Sequence, residues 1–273
     1  MNGFTQLHRV VQVLFLNEST VLSDDQARLI VEALRVQVHE HFAPVWGIDA
    51  DLIFLGKAGL ASLRAAGQTP DELYPKAWQM ALLDDSDMAG ALGYHDITQS
   101  GQPLGKCFLK TDIQYSTQPS VTISHELLEM LADPWIMNAV FVQSSNTAGR
   151  LYALEVCDAC EDDRSGYGIT VIPPTAVHEP PAAPQSVLVS DFLYPAYFMP
   201  YVSGQQLDRQ GLVKSPLTLL PGGYMSYFDV PGGSGWKQLF ADREAEEKAA
   251  GSRRLRRMNR GEWTISVGVS FGK

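Results

Sequence analysis

Hydrophobic residues along this chain change their spacing several times, and each change marks an element. Residues 10–16 form an apolar, β-prone run closed by Asn17, Glu18 and Ser19, the signature of a buried strand. Ser23, Asp24, Asp25 and Gln26 then supply an N-cap and an acidic first turn. From there Ala27, Ile30, Val31, Leu34 and Val38 hold a helical period of ~3.6 residues to about His41. Pro44 is expected to stop that helix. Residues 51–55 predict a second strand, giving a β-α-β opening. A loop with Gly67, Pro70 and Pro75 leads to a third strand over 77–83. Shorter strands are expected at 91–95 and 105–109, with Gly90 and Gly93 suited to a sheet edge or a close approach.

A helix should begin near Pro119 and end before Pro134. Val121, Ile123, Leu127, Leu128, Met130 and Leu131 lie all around it, the pattern of a buried helix. Residues 151–156 read as a strand, 157–163 as an acid-rich turn, and 171–184 as an exposed proline-rich loop. The aromatic run 187–198 is expected to complete the core, glycines at 222, 223, 232, 233 and 235 mark turns, and 263–269 alternates as a strand should. Without a repeat or a clear linker, the chain reads as one α+β domain over 1–273, a mixed twisted sheet around a buried helix.

That buried helix carries His125, Glu126 and Glu129, groups that are costly to bury without a partner or a metal. At ~100° per residue, His125 and Glu129 lie ~40° apart on one face, one turn apart in height, with Glu126 to the side. The pair can hold one cation while Glu126 faces a water on it. A catalytic zinc needs three protein ligands, so one is missing. The best source is the run Glu155, Val156, Cys157, Asp158, with Glu155 expected as the ligand and Asp158 as the carboxylate that orients an imidazole or as the alternative ligand. Asp133 is a rival ligand, although its place before Pro134 suits a helix terminus. The alternative without a metal is a simple i, i+4 pair of His125 and Glu129, which requires that face to be solvated.

Composition narrows the setting. With 273 residues, 45% of them hydrophobic, the chain can bury a sizeable core. A net charge of -10 argues against nucleic acid or an anionic membrane as the main partner. The basic run 253–257 follows the acidic run 242–247, and together they read as one helix matched to its macrodipole. No secretory leader and no run of ~20 apolar residues is seen, so a cytoplasmic protein is expected. Cys107, Cys157 and Cys160 are too few for a disulfide framework, and Cys157 with Cys160 lacks the companions of a zinc ribbon. His39 and His41 diverge by ~200° on a helix and cannot share a metal. Residues 84–87 read as a turn, not a calcium loop; a calcium site within 155–163 is a third possibility for the acidic cluster.

The run His125, Glu126, Leu127, Leu128, Glu129, with Asp133-Pro134 behind it and Glu155 to Asp158 downstream, resembles the HExxE variant of the zincin metallopeptidases. It is also similar to the pattern of exordium-like proteins. The resemblance implies a zincin-like fold, with 1–134 as sheet and active-site helix and 135–273 supplying the third ligand. It implies a Zn2+ bound by His125 and Glu129, Glu126 as general base, and a peptide or protein substrate paired with the edge strand at 91–95. His95, Tyr167, Tyr194 and Tyr197 are the candidate oxyanion donors. The runner-up is a non-catalytic binding or structural protein on the same metal-binding scaffold. Oligomeric state is not legible.

Overall fold

The computed structural model describes residues 9–87, 91–98, 100–173, 182–232 and 235–242. The first strand, β1 (Arg9–Asn17), lies between two parallel neighbours and is buried along most of its length. That position explains the continuous buried run Val13 to Leu16, because a central parallel strand is covered on both faces. Helix α1 (Asp24–Val36) opens with a capping box, in which the Gln26 amide donates to Ser23 Oγ and the Ser23 amide donates to the Gln26 side chain.

Pro44 does not end this helix. Residues Gln37–Phe42 wind on as a π-helical segment into α2 (Ala43–Trp46), which stops at Gly47 in the left-handed conformation at φ 73°. The Gly47 amide donates to Ala43 O, and Pro44 falls in the first turn of α2, where its missing N–H costs least.

Strand β2 (Ile48–Leu55) follows, and the expected loop is replaced by α3 (Lys57–Ala65) and the short α4 (Pro70–Leu73). The alanine- and leucine-rich sequence of α3 favours helix, and Thr69 caps α4 through a second capping box. Next come β3 (Trp78–Leu83), β4 (Gly93–Ile97), β5 (Pro103–Phe108), α5 (Leu109–Tyr115) and α6 (Pro119–Ala132). The five strands form one sheet in the order β2-β1-β3-β5-β4, parallel except for the antiparallel edge strand β4. Helix α6 packs against β4 and β5 and is buried from Ser120 to Leu131.

The second half adds β6 (Ala139–Gln143), β7 (Gly149–Ala153), the hairpin-like pair β8 (Tyr167–Val171) and β9 (Gln185–Val189), then β10 (Tyr224–Val230) and β11 (Lys237–Phe240). Four of these make an antiparallel sheet, β11-β10-β7-β6, while β9 contacts α6. The fold is α+β, and the largest apolar cluster joins Val13, Phe15, Met80, Leu127, Met130 and Phe192 across both halves. Phe192, Leu193, Tyr197 and Phe198 are buried, so the aromatic run does serve the core.

Strand β7 stops at Ala153, short of the expected 156. The Glu155 amide bonds back to Ala153 O, and Asp158–Cys160 forms a 3-10 turn, so the chain from 154 to 160 bends beneath α6. All but Asp242 of the helix expected over 242–257, the strand over 263–269, residues 174–181 of the expected proline-rich loop, Gly90 and Gly233 lie outside the described residues. Among the described residues no helix is long and apolar enough to cross a membrane.

Candidate metal centre

A buried polar lock sets the position of α6. Ser124 Oγ donates to Gln37 Oε1 at 2.7 Å and accepts the Ser190 amide at 3.1 Å, while Gln37 Nε2 donates to Ser190 O at 2.9 Å. Gln37 belongs to the π-helical segment, so the altered winding brings an amide side chain to the residue before His125. π-Helical turns often mark functional positions. Sequence reading missed this link because a glutamine inside a helix carries no signal of its own.

His125, Glu126, Glu129, Glu155 and Asp158 are all at most 4% exposed, and His95 on β4 is 6% exposed. The face bearing His125 and Glu129 is therefore not solvated, which removes the simple exposed pair as an explanation. His125 Nε2 stands 3.2 Å from Glu129 Oε1 and 3.3 Å from Asp158 Oδ1. Glu155, expected as the third ligand, places its Oε2 4.0 Å from His95 Nε2. The reason is the bend after β7, which aims Glu155 and Asp158 at different imidazoles. Cys157 offers another donor, with ligand atoms of His125, Glu129 and Cys157 all within 4.8 Å of one another. Burial, reinforced by the charge of Glu129, pushes the Cys157 thiol pKa well up, and its amide donates to Glu129 Oε1 at 3.3 Å. A bound cation would deprotonate that thiol, so Cys157 stands beside Asp158 as a further donor to the same centre.

Glu126 lies toward the sheet edge, its Oε2 3.8 Å from His95 Nδ1. Burial of the His95 ring opposes its charged form, but Glu126, Glu155 and Glu129 outweigh burial and raise its pKa. Gly93 makes this approach feasible: a Cβ there would sit 2.8 Å from Glu126 Cγ, 2.9 Å from its Oε1 and 3.0 Å from Lys106 O. Gly93→Ala should therefore displace Glu126 while leaving His125, Glu129 and Asp158 in place. In a metal-dependent enzyme built on these residues, the expected result is the ion at His125 and Glu129 retained with activity lowered ~10-fold or more, measured on the same preparation. Equal activity would show that Glu126 needs no such space.

Other expectations resolve away from the centre. Asp133 Oδ1 accepts the Met137 and Asn138 amides at 3.0 and 3.1 Å, the work of a helix-terminal aspartate rather than of a ligand. Of the oxyanion candidates, Tyr167 OH meets His41 Nδ1 and Tyr197 OH donates to Thr218 O, while His95 stands in the cluster. Tyr194 packs beside Phe192. His39 Nδ1 pairs with Asp49, apart from His41. Asp84 accepts bonds from Ser19 and Thr20 and pairs with Lys110, as a turn residue would. The three cysteines are reduced and buried.

No family model, curated protein or solved structure matches the chain.

Proposed function

We propose that this protein is a zincin-like, metal-dependent hydrolase of peptide bonds, with His125, Glu129 and Asp158 as metal ligands and Glu126 as general base. One observation carries the reading. A single imidazole nitrogen faces two carboxylate oxygens at 3.2 and 3.3 Å, in a buried cluster. Donors ~2.0–2.1 Å from a tetrahedral ion lie about 3.3 Å from each other, close to the distance from the imidazole nitrogen to each of the two carboxylate oxygens. One nitrogen and two oxygens suit zinc, and tolerate a harder ion such as manganese better than a two-histidine site does.

A cation bound there supplies Lewis acidity, lowering the pKa of a water and polarising a carbonyl. Glu126, on the same helix and turned toward β4, accepts the water's proton and returns it to the leaving amine. The edge strand β4 offers backbone groups for an extended peptide, and Gly93 leaves Glu126 room beside it. The near-complete burial of the cluster favours one competing reading, a metal-binding protein without turnover.

Elemental analysis and digestion of a peptide library separate these. The parent should hold metal and cleave peptides; Asp158→Asn should lose the metal, and Glu155→Gln should keep it. Metal retained by Asp158→Asn and lost by Glu155→Gln would return Glu155 to the ligand set. A metal-loaded parent that cleaves nothing would support the binding-protein reading.

A further inference from the structure

We propose that a second divalent cation binds on the opposite side of Glu129, held by His95, Glu126 and Glu129. The inference rests on the reading of His125, Glu129 and Asp158 as the first metal site. His95 Nδ1 lies 3.8 Å from Glu126 Oε2 and 3.7 Å from Glu129 Oε2, and ligand atoms of the three residues fall within 4.8 Å of one another. Such separations exceed hydrogen-bond length, yet they match donors arranged around one ion.

Glu129 is the hinge of the arrangement. Its Oε1 faces His125 Nε2 at 3.2 Å and its Oε2 faces His95 Nδ1 at 3.7 Å, so one carboxylate stands between two imidazoles. A carboxylate so placed can bridge two cations, as in paired-metal sites with ions about 3.5–4 Å apart. The other nitrogen of the His95 ring, Nε2, is buried without a hydrogen-bond partner among the described residues, and the His95 side chain is 3% exposed. Glu155 Oε2 is 4.0 Å from it, placed to receive the Nε2–H when Nδ1 binds a cation. Glu155 thus orients a histidine, the role that sequence reasoning assigned to Asp158.

Charge points the same way. Glu126, Glu129, Glu155 and Asp158 are four buried carboxylates, and no lysine or arginine is buried among the described residues. Buried carboxylates grouped in this way favour compensating cations beside them. The second site also has a consequence for the first. It engages Glu126, the carboxylate that must stay unligated to accept a proton, so filling it with excess metal should lower turnover.

The test uses the full chain, stripped of metal by chelation and dialysis. It is titrated with Zn2+ against a chromophoric chelator and separately loaded with Mn2+ for electron paramagnetic resonance. The expected result is two Zn2+ per chain and a spin-coupled Mn2+ spectrum, both reduced in His95→Ala to one ion with an uncoupled spectrum. One ion in parent and His95→Ala alike, lost in His125→Ala, would overturn the second site and leave the first standing. No ion in the parent would overturn both readings. Two ions without spin coupling would overturn the bridge. The parent's spectrum decides the matter by itself should His95→Ala lack the native circular dichroism of the parent.

Discussion

Glu126→Gln is expected to keep the metal and to lose peptide hydrolysis by about 10²–10⁴-fold, the usual contribution of a positioned general base. The amide preserves the size of the side chain beside Gly93 and cannot take up a proton from water. His125, Glu129 and Asp158 are untouched, so elemental analysis should find the first-site ion retained. The pair of measurements separates catalysis from binding. Parent-like hydrolysis by Glu126→Gln would remove Glu126 from the mechanism, whereas loss of the first-site ion would add it to that ion's ligands. The change should also weaken the second cation while sparing the first, because only the second site uses Glu126.

The second large effect concerns stability. Asp191 and Asp208 are both fully buried. Asp191 Oδ1 accepts the Phe192 and Gln210 amides, and Asp208 Oδ2 accepts those of Leu212 and Val213. The remaining oxygens, Asp191 Oδ2 and Asp208 Oδ1, have no N–H or O–H donor. The two carboxyls can bond each other only while one of them holds a proton. Burial, helped by the hydrogen bond and charge of Asp208, pushes Asp191 up to about 8.

A folded-state pKa above the unfolded value stabilises the protein at low pH. That stabilisation is complete below the ordinary aspartate range and is lost as pH rises through about 8. Between those limits the folded state holds one more proton than the unfolded chain, a slope of at most about 1.4 kcal/mol per pH unit. Asp191→Asn puts a permanent N–H donor where the acid proton stood. Thermal unfolding from pH 5 to 9 should therefore fall more steeply in the parent, with the variant more stable at the alkaline end. Parallel curves would show that the pair holds no shared proton.

Much of the first half was legible because its signals are local. The apolar run of β1, the capping box of α1 and the buried pattern of α6 each depend on neighbours a few residues away. Pro44 misled for the same reason: a rule about proline in an α-helix does not foresee a π-helical turn that shifts the residue into a new first turn. Helix α3 was missed because Gly67, Pro70 and Pro75, which follow it, outweighed its short apolar pattern. Gln37 left no trace, since its role exists only through Ser124 and Ser190, far along the chain.

The centre divides along the same line. The sequence by itself determined that His125 and Glu129 share a helical face, that Glu126 stands beside them, and that their helix is surrounded by apolar residues. Those facts follow from a period of ~3.6 residues. Only the tertiary structure decided that Asp158 meets His125, that Glu155 faces His95, that His95 from the sheet edge faces Glu126 and Glu129, and that Gly93 clears space for Glu126. The deciding events are a bend after β7 and the pairing of an edge strand, and both depend on contacts between residues distant in the chain, which no local pattern encodes.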